Sequence, residues 1–180
     1  MTTAATAGTD EIATTLAAIH TESGANLLAL AQASPVLLIF LRHFGCPFCR
    51  QTISDIAGLQ QELVDRGVRP VFVHLGTSEI AQKHFDYYGL SSVERVNDPE
   101  AALYRHPAFA LSRQHWLLQT LNPGVFWAWL KRALVKHGIG KIQGDGNQMP
   151  GIFFLKGPKI VRRFVHRTIS DEPDYLSLVA

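Results

Sequence analysis

Two short apolar runs constrain this chain more than any other feature. Pro35 is followed by Val36-Leu37-Leu38-Ile39-Phe40-Leu41, and Pro70 by Val71-Phe72-Val73-His74-Leu75. Continuous apolar runs of this length predict strands buried on both faces. Between them Ile53, Ile56, Leu59 and Leu63 fall close to one helical stripe, and Gly67 follows as a stop. Residues 36–75 therefore predict one βαβ unit with a right-handed crossover.

The flanking segments extend that unit. Residues 1–9 are small and polar and are expected to be disordered. Asp10 suits the N-cap of a helix whose apolar face is Ile12, Leu16 and Ile19. Gly24 interrupts it, and Leu27, Leu28 and Leu30 suggest another short helix. Thr77 or Ser78 caps a helix ending near Gly89, Val93 to Val96 reads as a short strand, and Asp98-Pro99 opens a helical stretch. Residues 107–140 break the alternation with Trp116, Trp127, Trp129, Lys131, Arg132, Lys136 and His137, and read as a mainly helical insertion. Ile152 to Leu155 and Ile160 to Val165 flank Lys156-Gly157-Pro158-Lys159, a hairpin pattern. Glu172-Pro173-Asp174-Tyr175 starts a last short helix. The order predicts a single α/β sandwich domain over residues 10–180.

Composition agrees. The 180 residues are 47% hydrophobic, enough for a full core, which excludes a disordered chain. A formal net charge of +2 does not point to a nucleic-acid partner. The longest apolar run falls far short of the roughly 20 residues of a spanning helix, so no integral membrane association is expected. The first residues carry neither positive charge nor an apolar core, so no signal peptide is expected and the cytoplasm is the expected location.

The chemistry concentrates at Cys46-Pro47-Phe48-Cys49, the only two cysteines. The pair follows a buried strand and opens a helix. Residues three apart share a helix face, so both sulfurs can meet. The free N–H groups and the macrodipole at a helix start stabilise a thiolate at Cys46. Cys46 is then the nucleophile and Cys49 the resolving thiol, which releases a mixed disulfide. Pro47 suits the first turn, where its missing N–H costs nothing. Two other readings exist. A zinc site needs four ligands, and there is no second cysteine pair, with nothing in the spacing of His43 and His74 to recruit them. Buried cysteines can also be inert packing. Met149-Pro150 precedes the strand at Gly151, either as an ordinary strand boundary or as a cis bond laid beside the cysteines.

With both pieces in view, the chain resembles the thioredoxin-like superfamily. More closely, it resembles the peroxiredoxin-like branch related to alkyl hydroperoxide reductase C and thiol-specific antioxidant proteins, including selenoprotein L-like redox proteins. The resemblance is carried by Phe40-Leu41-Arg42-His43-Phe44-Gly45-Cys46-Pro47-Phe48-Cys49-Arg50, by Gly144-Asp145-Gly146-Asn147-Gln148-Met149-Pro150-Gly151-Ile152-Phe153, and by Ser170-Asp171-Glu172-Pro173. It implies a thioredoxin-like three-layer sandwich with a mixed central sheet, a cis peptide before Pro150, and an active site between that peptide and Cys46. Pro150, Met149, Pro47, Phe48, Arg42 and His43 are the residues expected to position substrate there.

The departures matter. Peroxiredoxins resemble P-x-x-x-[T/S]-x-x-C, with the last Cys attacking peroxide. Aligned on Cys49, the Pro position is Arg42 and the Thr/Ser position is Cys46, and the family's Arg falls on Pro150. The groups that hold peroxide and its developing charge are therefore missing from their places. Arg42 is a candidate substitute, although it precedes the turn in sequence. The leading expectation is a thiol–disulfide oxidoreductase acting on protein or small-molecule disulfides, recharged by a thioredoxin- or glutathione-type reductant. The alternatives are a thiol peroxidase for hydrogen or organic peroxides, and a redox-sensing binding module. No metal or organic cofactor is implied.

Three secondary signals remain. Arg162, Arg163, His166 and Arg167 read as a solvated edge strand, although alternation could turn some of them toward the site. A protonated His43 would lower a nearby Cys pKa, or His43 is simply a turn residue. The aromatic, basic stretch 126–136 covers the fold, lies on a membrane surface, docks a partner or walls the groove to Cys46.

Overall fold

The computed structural model describes residues 3–115, 121–128 and 145–180. Five strands form one mixed sheet in the order β3-β2-β1-β4-β5. The strands are β1 Val36–Phe40, β2 Arg69–His74, β3 Glu94–Asn97, β4 Gly151–Lys156 and β5 Lys159–Val165. β1, β2 and β3 are parallel, while β4 runs antiparallel to both β1 and β5. The helices are α1 Thr3–Ala17, α2 Leu27–Ala33, α3 Pro47–Gly58, α4 Gln60–Asp65, α5 Ser78–Tyr87, α6 Ala102–Arg105, α7 Pro123–Ala128 and α8 Tyr175–Leu178.

The period-2 alternation of β1 divides the core into two layers. Leu37 and Ile39 pack on one face with Ile53 and Ile56 of α3, Leu63 of α4, Ala81 and Phe85 of α5, and Tyr175 of α8. Val36, Leu38 and Phe40 pack on the other with Leu16 of α1, Leu27 and Ala31 of α2, and Tyr104 of α6. Every residue of β1 is buried, as its unbroken apolar run requires. β5 is an exposed edge strand. The β4–β5 hairpin turns at Gly157, whose φ of 58° suits the first central position of a type II′ turn, with Pro158 next.

Three expectations change. α1 starts at Thr3, so helix reaches back across residues expected to be disordered, and Asp10 lies inside it. Alanines, the best helix formers, extend it. The helix expected to stop at Gly67 breaks at Leu59 into α3 and α4. The Met149–Pro150 peptide is trans, since no cis bond is present. Trans is the ordinary X–Pro preference, and a proline just ahead of a strand removes no ladder hydrogen bond. Of the expected insertion, α7 is described, whereas Trp116, Trp129, Lys131, Arg132, Lys136 and His137 lie outside the described residues.

The register positions the site. Phe40 pairs with Gly151 across the β1–β4 ladder, so Pro150 falls beside the chain leaving β1. That chain, residues 41–45, turns back and enters α3 at Cys46. Tyr104, fully buried, pins it by donating its hydroxyl to the carbonyls of Leu41 and Val73.

Candidate active site

Cys46 is the N-cap of α3, with extended backbone (φ −79°, ψ 122°), and Pro47 follows at the first helical position. The Cys46 N–H donates to the His43 carbonyl (3.1 Å), and the Arg50 N–H closes the first turn on the Cys46 carbonyl (3.1 Å). Both thiols are free, and both are buried, at 4% and 3% exposure. The Cys49 thiol donates to Cys46, which is the largest cause of a Cys46 pKa lowered to about 6. The Arg42 guanidinium and the N–H groups of Cys49 and Phe48 add to it, and together they outweigh burial. The same bond, with burial, pushes Cys49 well above the usual thiol range. One cysteine is thus a thiolate near neutral pH while its neighbour keeps its proton.

Arg42 is the cation of the site. It is 3% exposed, and its Nη1 lies 3.9 Å from Cys46 Sγ. Its backbone N–H donates to Cys49 Sγ at 3.3 Å, and its Nη2 donates to the Gly146 carbonyl. The side chain therefore folds back over the turn that separates it from Cys46 in sequence. His43 does not serve as the cation. Burial, then the charges of Arg42 and Arg50, hold its pKa down to about 4, so the ring is neutral.

A cavity of about 30 Å³ adjoins the pair, lined by Arg42, Cys46, Phe48, Cys49, Thr52, Asp55, Pro150, His166, Asp171 and Tyr175, among others. It shares Asp55, Pro173 and Tyr175 with an open groove of about 570 Å³ along α3, walled also by Ser54, Gly58 and Leu59. Of the residues expected to position substrate, Arg42, Phe48 and Pro150 line the cavity. Met149 does not. It is fully buried and packs with Val125 of α7, Ile169 and Phe48, and its backbone N–H donates to the Ser112 carbonyl at 3.0 Å. Pro47 is buried, and neither it nor His43 lines the cavity.

His166 is a site residue that sequence reasoning left in a basic run. It is 6% exposed, donates one ring N–H to the Pro150 carbonyl, and its Nδ1 has no partner among the described residues. Burial holds its pKa down to about 4 against the pull of Asp171. Arg162 and Arg163 of the edge strand β5 are exposed, and so is Arg167 beyond its end. His166 lies one residue past the end of β5, so strand alternation carries no signal for its inward position. Among the described residues no group of three or more His, Cys, Asp or Glu is placed to hold a metal ion.

No family model matches the chain. A curated relative, the prostamide/prostaglandin F synthase of Salmo salar, is 28% identical over 159 residues, covering 84% of this chain and 74% of that protein. Peroxiredoxin Q of Xanthomonas campestris superposes with a TM-score of 0.56 at 15% identity, covering 84% of this chain and 81% of that one. A secreted Mycobacterium tuberculosis disulfide oxidoreductase homologous to E. coli DsbE gives 0.55 at 16% identity, covering 94% and 97%. The chain carries the thioredoxin-like fold that peroxiredoxins and disulfide oxidoreductases share.

Proposed function

We propose that this thioredoxin-like protein is a thiol–disulfide oxidoreductase whose working group is the Cys46–Cys49 dithiol. One observation carries the reading: the two thiols differ in opposite directions, Cys46 toward thiolate and Cys49 toward thiol, at the start of one helix. Cys46 attacks a protein or small-molecule disulfide, forming a mixed disulfide and expelling one substrate thiolate. Cys49 then attacks Cys46 Sγ, expelling the second substrate thiolate and leaving the internal disulfide. A thioredoxin- or glutathione-type partner returns the pair to its starting state. Phe48 and Pro150 hold the substrate at the cavity mouth, and the groove along α3 gives an extended segment somewhere to lie. The reading assigns the protein to the reducing cytoplasm, where a close thiol pair serves redox chemistry rather than stapling. Among the described residues no helix is long and apolar enough to cross a membrane.

The test is a trap. Cys49→Ser is expected to accumulate mixed disulfides on Cys46 when mixed with a disulfide-bonded protein such as insulin, and Cys46→Ser to form none. Mass spectrometry showing equal trapping in both variants, or none in either, would sink the assignment.

A second reading, reduction of hydrogen or organic peroxides, has its own support. Arg42 sits where a cation can meet charge developing on a peroxide at Cys46, and the adjoining cavity has room for a molecule of two heavy atoms. Stopped-flow tryptophan fluorescence decides it. Oxidation of Cys46 by hydrogen peroxide at the rate of an ordinary thiol would leave only the disulfide chemistry.

A further inference from the structure

The buried guanidinium at the dithiol has an unusual charge balance. Arg42 is 3% exposed, and no carboxylate stands within ion-pair distance of it. Every Asp and Glu of the chain falls among the described residues, so none is left unseen. The nearby Asp145 is engaged elsewhere, with Arg113 Nη2 at 2.7 Å. Among the described residues, the partners of the Arg42 guanidinium are a neutral carbonyl, that of Gly146, and Cys46 Sγ at 3.9 Å. Asp55, Asp171 and Glu172 line the same cavity beyond ion-pair distance, so the Cys46 thiolate is the nearest anion to this buried cation.

A disulfide removes that anion. When Cys46 and Cys49 bond, the sulfur becomes neutral and the buried Arg42 loses its nearest anion, a costly arrangement. The helix N–H groups that also face Cys46 are neutral dipoles and leave no net charge behind. Resting on the dithiol reading above, we propose that Arg42 is a positioning residue that biases the couple toward its dithiol form. The couple is then more oxidising than the helix start alone would make it, and the exchange proposed above also runs in reverse, withdrawing electrons from substrate thiols. Stabilising the reduced form is the general route to an oxidising dithiol.

The step balances. Two substrate thiols give two electrons to the Cys46–Cys49 bond and become joined as a disulfide. The two sulfurs of the pair become a Cys46 thiolate and a Cys49 thiol. One of the two substrate protons ends on Cys49, and the other is released. The internal disulfide is regenerated by exchange with a low-molecular-weight disulfide, which is reduced to two thiols.

The experiment is an equilibrium titration of the full chain at pH 7 in glutathione buffers, read by thiol alkylation and mass. Arg42→Met is expected to shift the equilibrium at least tenfold toward the internal disulfide, equivalent to about 30 mV. Arg42→Lys, which keeps the charge, is expected to stay within threefold of the parent. A shift below threefold in Arg42→Met overturns the proposal. The parent protein alone supplies a second measurement, which holds even if the variants do not fold. Its disulfide form, mixed with one equivalent of a reduced thioredoxin, is expected to be found mostly as the dithiol. Retention of the disulfide overturns the proposal. Failure of the parent to form an internal disulfide in any glutathione buffer would instead defeat the oxidoreductase reading beneath it.

Discussion

At the scale of the residue, the site is a set of buried groups whose charge states are fixed by a few neighbours. His43 and His166 are held near 4 by burial, against an ordinary 6.5. Unfolding exposes both rings, so between those values the unfolded chain binds more protons than the folded one. Stability from these groups is complete above about pH 6.5 and is lost as the pH falls through 4. Each is worth up to about 3 kcal/mol at full effect. The urea midpoint is expected to drop across that window, and His166→Gln to flatten the drop. A drop just as steep in His166→Gln would show that His166 is not among the groups responsible. The cysteine pair was legible in sequence because strand, turn and helix start all point to it. Arg42 was legible only as a candidate, since spacing does not say whether a side chain before a turn folds back across it. His43 was legible as a neighbour of the pair but its charge state was not, because burial and two arginines hold the ring neutral. His166 was hidden among arginines whose side chains reach solvent.

At the scale of the element, the loop before β4 does more than deliver Pro150. Arg42 ties to Gly146, Gln114 to Asn147 at 2.8 Å, and Ser112 to Met149, so residues 145–149 join the active site to the segment at 111–115. Gly151 is the tight point of that junction. A Cβ there would lie 2.5 Å from Leu111 Cδ2 and 3.3 Å from the Phe153 ring. Gly151→Ala is expected to destabilise the protein by about 1–3 kcal/mol, as overpacking does. The double variant with Leu111→Ala should lose less than the sum of the two single losses, a coupling that a double-mutant denaturation cycle measures. Strict additivity would mean the clash is absorbed elsewhere. Strands were legible to within a residue or two, because runs and alternation report burial directly. The break at Leu59 was not, since its apolar stripe continues from Ile53 to Leu63 across the interruption. The conformation before Pro150 was equally out of reach, because sequence pattern alone does not separate a strand-edge proline from a kinked one.

At the scale of the whole molecule, the sheet joins two distant parts of the chain. The parallel half, β1 to β3, is local, whereas β4 comes from beyond the insertion to cover the open side of β1. The α/β class and the hairpin were legible, but nothing in the sequence pattern specifies which strand β4 will pair with. A chain ended at Pro150 lacks β4, β5 and α8, and is expected to aggregate, because β1 then presents a flat apolar edge. A soluble fragment with a cooperative melt, by sedimentation and calorimetry, would contradict this. The same arrangement sets a clock during synthesis. Roughly a hundred residues separate β1 from its antiparallel partner, and translation at about 5–20 residues per second takes about 5–20 s to cover that distance. For that interval the most hydrophobic strand of the protein waits half-covered at the ribosome, with Cys46 and Cys49 just behind it and the groups that shield them not yet made.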